Sequence, residues 1–184
     1  MVRRHPKRKR IFVGAEGESE RSLAKWLRIL CEEQGVSFHF DITVSNGGDS
    51  LTITEHAVYE YRKRTQSRGK FSSGLILLDS DRLQQDIQSG RDPEPKANSE
   101  NLKLVYLKPN FEGLLLRLHT GREKQFPTAD EAKRNLQRLW QNYSKPASAE
   151  DLRKRFRIED IRRAALYDSD LRWMLEKLGL WDRK

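Results

Sequence analysis

A single cysteine, Cys31, stands in the 184 residues, so no disulfide can form within the chain, and a lone thiol argues for a reducing compartment. No run of about 18 apolar residues occurs, which excludes a transmembrane helix. No apolar segment of signal-peptide type follows the first charges either, so the expected location is the cytoplasm. Acid is also missing at the start. Residues 1–10 carry Arg3, Arg4, Lys7, Arg8, Lys9 and Arg10 and no carboxylate. The whole chain has 36 bases against 27 acids, a net +9, and without that arm the remainder is only about +3. A basic arm on a nearly balanced body suits a polyanion, nucleic acid being the commonest, and a solvated tail fits the same composition. With 36% hydrophobic residues the remainder has enough apolar side chains to fold.

Ile11-Phe12-Val13 is an apolar run that stops at Gly14 and gives way to Glu16, Glu18 and Glu20. Leu23, Trp26, Leu27, Leu30 and Cys31 then recur at helical spacing up to Gly35, so the turn joins a strand to a helix and Cys31 belongs to the core. Residues 38–44 alternate apolar and polar, as on an edge strand, and His39 is read as exposed. Asn46-Gly47-Gly48-Asp49 is a loop, and Thr52 with Glu55 has the form of a capping box for a helix reaching about Arg64. His56 is assigned no role. Gly74 to Leu78 is apolar throughout, as expected of a strand buried on both faces. It ends in Asp79-Ser80-Asp81, followed by a short helix to Ser89. Residues 92–101 read as a surface loop, 102–107 as a fourth strand and 113–119 as a helix.

Strands and helices alternating in this way require parallel strands with right-handed crossovers. The expected fold is an open α/β sheet of four parallel strands in the order 2-1-3-4, flanked by helices, because only that order makes the ends carrying Glu16 and Asp79 neighbours. Three regions are expected: a basic arm over 1–10, the α/β core over 11–125, and a helical extension over 126–184 packed on it. That extension is read as helices 129–143, with Leu136, Leu139 and Trp140 inside, then 149–156 and 158–178. Residues 114–163 hold 13 Lys or Arg against 7 acids, so the region is basic.

Acids collect at three strand ends on one side of this sheet: Glu16 and Glu20, Asp79 and Asp81, and Glu112. Each alone has a bland explanation, since Asp81 can cap a helix, Asp79 can bond a turn and Glu112 can sit in a first helical turn. A cap needs one carboxylate, however, and gives no reason for acids to gather where strands converge. Mg²⁺ suits the set, because it takes one or two carboxylates together with waters and phosphate oxygens. There is room for one metal or two, the latter able to stabilise both attacking and leaving oxygens at phosphorus.

Ala15-Glu16-Gly17-Glu18-Ser19-Glu20 and Asp79-Ser80-Asp81 resemble the two hallmark motifs of the Toprim domain of topoisomerases, primases and maturation ribonucleases. More narrowly the chain is similar to RloB-like proteins, through Asn46-Gly47-Gly48-Asp49 and Pro109-Asn110-Phe111-Glu112 leading to Leu114-Leu115-Leu116 and His119. The resemblance implies a nuclease-like Toprim fold in bacterial anti-phage defence, sometimes beside a partner ATPase. It makes Glu16, Asp79, Asp81 and Glu112 catalytic and Glu16, Glu20, Asp79 and Asp81 ligands of Mg²⁺ or Mn²⁺. Nucleic-acid contacts are expected from Arg3, Arg4, Lys7, Arg8, Lys9, Arg10 and Lys108. The chain departs from the family at Gly113-Leu114, where a large aliphatic residue and tryptophan are usual, and at Lys108, where a small or amide residue is common.

The expected function is a metal-dependent phosphodiesterase acting on RNA or DNA, with RNA placed first. The alternative is a non-catalytic Toprim module that holds nucleic acid or docks on an ATPase. A hydrolase or transferase of small nucleotides is a third reading, which the basic extension disfavours.

Overall fold

The structure, a computed structural model, describes residues 9–181. Four parallel strands form one sheet in the order β2-β1-β3-β4, the order expected from the acidic strand ends. They are β1 (Lys9–Ala15), β2 (Phe38–Val44), β3 (Ser73–Asp79) and β4 (Lys103–Leu107). In β1, β3 and β4 alternate side chains go to opposite faces. Ile11, Val13, Leu75, Leu77, Val105 and Leu107 pack against α1 (Glu18–Glu33) and the later helices. Phe12, Ile76, Leu78 and Leu104 pack against α2 (Ser50–Arg68) on the other face. Gly14 lets α2 come close, since a Cβ there would lie 2.9 Å from that of Ala57.

Several boundaries differ from the sequence reading. β1 begins at Lys9, so Lys9 and Arg10 belong to the sheet, while Arg3, Arg4, Lys7 and Arg8 lie outside the described residues. Arg10 is committed internally: it bonds Asp41 at 2.6 Å and the carbonyls of Arg68 and Gly69, and it lies over the Phe71 ring. The second helix starts at Ser50 and runs to Arg68, because Asp49 rather than Thr52 is the N-cap and accepts the Thr52 amide at 2.9 Å. A short α3 (Leu83–Gln88) follows β3. The expected surface loop at 92–101 contains a further helix, α4 (Glu94–Asn98), which starts behind Pro93 and buries Ala97 beside Leu102. One buried residue in five is too weak a period to be visible in the sequence.

After β4 come α5 (Phe111–Arg117), α6 (Ala129–Leu139), α7 (Ala149–Arg155), α8 (Ile158–Ala165) and α9 (Ser169–Lys177). The sixth helix stops at Leu139, four residues short of Tyr143, and leaves Leu139 exposed rather than inside. The expected single helix over 158–178 is two, broken at Asp168, which caps α9 by accepting the amides of Asp170 and Leu171. Arg117 holds that break, its Nη2 lying 2.8 Å from Asp168 with both side chains fully buried, while its Nη1 donates to the Lys108 carbonyl. Lys108 is drawn to the same place, pairing with Asp168 at 3.1 Å and Asp170 at 2.8 Å, so its ammonium is spent on the fold. Leu136, Leu152, Ile161, Leu171 and Met174 join one cluster with Ile11 and Leu27. Each large apolar side chain of the extension buried in this cluster contributes about 1.5–3 kcal/mol to holding it on the sheet.

Candidate active site at the carboxyl end of the sheet

Glu16 directly follows Ala15, the last residue of β1, and its side chain turns sideways across the sheet. Its Oε2 accepts the backbone N–H of Asp79 at 3.1 Å, so a carboxylate from the first strand is fastened to the end of the third. Its own carbonyl accepts the N–H of Gly47 at 3.2 Å, drawing in the glycine loop after β2. Gly47 has φ +92°, a conformation that glycine adopts without strain. Glu20, one turn into α1, is only 3% exposed, and its Oε2 accepts the N–H of Gly17 at 2.9 Å. Glu18 instead faces solvent and pairs with Arg21 at 3.0 Å. Of the three acids in the turn, the two named as ligands point inward.

Asp79 lies among like charges. Its Oδ1 is buried and has no hydrogen-bond partner among the described residues. Burial, and then the charges of Glu20 and Glu16, push its carboxyl up to about 9, with Asp81 adding and Lys145 opposing. Glu16 is also raised, by burial first and by Asp81, against the stabilising Asp79 amide. Burial and Glu16 raise Glu20, against the amides at the start of its helix. Each of these carboxylates thus raises the pKa of its neighbours, as like charges brought together do.

Sequence reasoning missed the cation that approaches them. Lys145, from the segment between α6 and α7, lies 3.2 Å from Glu112 Oε1, and Tyr143 donates its hydroxyl to the same oxygen at 3.3 Å. Burial works against the ammonium, but Glu112, Asp79 and Glu20 together raise its pKa above the ordinary lysine value. The available signal was slight: Lys145 is the lone charge between Leu139 and Ala149. Asn110 caps α5 by accepting the Gly113 amide at 3.0 Å, which sets Glu112 in the first turn, facing the extension.

A cavity of about 280 Å³ is bounded by Glu16, Glu20, Gly47, Asp79, Lys145 and Pro146 among others. Glu16, Glu20 and Asp79 therefore come together, Asp81 is exposed but within electrostatic reach of them, and Glu112 is held aside by Lys145 and Tyr143. Arg10 and Lys108 are placed elsewhere, in the ion pairs described above. Among the described residues no three acidic, histidine or cysteine side chains are arranged to hold a metal ion. The donor chemistry nonetheless fits a hard cation, since Mg²⁺ needs only one or two carboxylates and Asp79 offers an unsatisfied buried oxygen. Comparison of this chain with protein-family models, with curated proteins and with solved structures finds no match.

Proposed function

We propose that the crevice is the active site of a Mg²⁺- or Mn²⁺-dependent phosphodiesterase acting on nucleic acid, of the RloB-like Toprim type. The reading is carried by Asp79, a buried carboxylate with an unpartnered oxygen among like charges. Such a group is costly in the free protein and is relieved by a divalent cation. The 2-1-3-4 parallel sheet, with its acids outside the carboxyl ends of the strands, supports it.

Asp79, with Glu16 and Asp81, would hold the cation, and Glu20 would border it. The cation supplies Lewis acidity toward a phosphodiester. Glu16, fixed to the Asp79 amide, orients its carboxylate without needing a further partner. Lys145 brings a positive charge to the wall of the same cavity, where it can meet a non-bridging phosphate oxygen, and Glu112 with Tyr143 positions it.

Labelled single-stranded RNA, tRNA and plasmid DNA incubated with Mg²⁺, Mn²⁺ or EDTA test the reading. Metal-dependent cleavage lost in a folded Asp79→Asn variant is the expected result. Absence of cleavage on all three, with no rise of the wild-type melting midpoint on adding metal, overturns it. A second reading, a non-catalytic module that holds nucleic acid, is favoured by one observation: the carboxylates do not form a ready three-ligand group.

A further inference from the structure

A second and larger cavity, about 600 Å³, opens at the other end of α5. Leu118, His119, Trp140, Lys154, Arg155 and Phe156 are among its walls. Its volume lies within the usual range for small-ligand sites. Nothing in the proposed metal chemistry uses it.

The Arg155 guanidinium forms a platform there. Its carbon lies 4.8 Å from the centroid of the Trp140 ring, and the two are held in place by neighbours. Nε and Nη2 both donate to His119 Nε2 at 3.2 Å, and Nη2 also donates to the Leu139 carbonyl at 2.6 Å. Because His119 Nε2 accepts, its proton is on Nδ1, which donates to the Leu115 carbonyl at 3.0 Å. The ring packs edge-on to Phe156, with centroids 5.0 Å apart, and Phe156 meets Trp140 at 6.1 Å. The flat cation therefore stands fixed although Arg155 itself is exposed.

The cavity wall carries two bases, Lys154 and Arg155, and two acids, Asp151 and Asp160, and the acids are the ones already engaged. Asp151 is engaged by the Ser148 amide and hydroxyl, at 3.1 and 2.7 Å. Asp160 is engaged by the Arg157 amide and by Arg163. Arg155, by contrast, is bonded to a neutral ring and a carbonyl, and Lys154 feels Asp151 without forming an ion pair among the described residues. A fixed guanidinium stacked on an indole, beside an unpaired ammonium, is the chemistry that receives a nucleobase and its phosphate.

The cavity is also tied to the acidic crevice. Trp140 touches Tyr143, with ring centroids 5.3 Å apart, and Tyr143 bonds Glu112. The seven residues of α5 separate the two ends by about 10 Å at the ordinary helical rise. We propose that this cavity is a subsite for a nucleotide unit of single-stranded nucleic acid, with the base stacked on the Arg155–Trp140 platform and a phosphate on Lys154. The subsite gives the phosphodiesterase reading a single-stranded substrate and rests on that reading for its purpose, but its binding needs no metal.

The test is fluorescence anisotropy of a short labelled single-stranded RNA on the full chain in EDTA. Lys154→Ala, at an exposed position whose side chain forms no ion pair among the described residues, should lower the slope of log K against log salt by roughly 0.7, the loss of one single-strand phosphate contact. Trp140→Ala should weaken binding about tenfold or more and Trp140→Phe, which keeps a ring, only about two- to threefold, as expected for a stacked base. A duplex of the same sequence should bind more weakly and lose little in Trp140→Ala. Wild-type affinity and slope in both Lys154→Ala and Trp140→Ala overturn the proposal. So does a nucleoside monophosphate that binds as tightly as the strand, which would make the cavity a small-nucleotide site. Cleavage of the same strand by the same Trp140 variants is assayed separately with Mg²⁺. Lost cleavage with intact, Trp140-dependent binding therefore speaks only against the phosphodiesterase reading, and intact cleavage with Trp140-independent binding only against the subsite.

Discussion

Lys145 Nζ lies 3.2 Å from Glu112 Oε1, joining the segment between α6 and α7 to the first turn of α5 at the mouth of the acidic crevice. Glu112 is 2% exposed. Removing the ammonium leaves a buried carboxylate with only the Tyr143 hydroxyl, so Lys145→Met should destabilise by about 1–3 kcal/mol. Lys145→Met/Glu112→Gln should recover most of that loss. Urea unfolding of the two single variants and the double measures it, and additive losses would mean that the pair is incidental.

Asp79 gives the fold a pH dependence of unusual sign. In metal-free protein its carboxyl stays protonated up to about 9, whereas the unfolded chain releases that proton near the ordinary aspartate value of 3.8. The folded state therefore binds more protons between those limits, and stability falls as pH rises through them. In EDTA, the wild-type midpoint minus that of Asp79→Asn should fall between about pH 5 and pH 8, with the variant the more stable at the upper end. A difference that is flat or rises with pH would remove the repulsive site.

Arg117 and Asp168 form a fully buried pair at 2.8 Å. Breaking such a pair costs about 3–5 kcal/mol, because one charge stays behind in the core. Arg117→Met should reach the lower part of that range, since Lys108 remains 3.1 Å from Asp168. Chemical denaturation reads the loss directly, and Arg117→Met/Asp168→Asn should be more stable than Arg117→Met alone.

Gly113 is a glycine because α5 starts against its own entry loop. An added Cβ would lie 2.6 Å from the Lys108 carbonyl oxygen and would also strike Pro109. Gly113→Ala should therefore cost about 1–3 kcal/mol by overpacking, although alanine is the better helix former. A thermal melt that matches or exceeds wild type would contradict the close approach.

The sheet was legible because each strand carries its own signal. The unbroken apolar run at 74–78 marked a central strand, the alternation at 38–44 an edge, and the acids at the strand ends required the order 2-1-3-4 that the structure has. Glu16, Glu20 and Asp79 share a crevice for the same reason, since adjacent parallel strands deliver their ends to one side. The helices of the extension were legible as apolar periods, but their ends were not. Periodicity runs on through Asp168, and the buried guanidinium of Arg117, 51 residues away in sequence, is among the groups that hold that residue as a cap rather than a helical position. Lys145, Tyr143 and the Arg155–Trp140 platform depend on where an irregular segment between two helices lies across the sheet. No local pattern encodes that path, because it is fixed by the core that Leu136, Ala147 and Leu152 share with α1. Residue types and strand order are local properties of the chain, whereas the partner of each charge is decided by packing between elements distant in sequence.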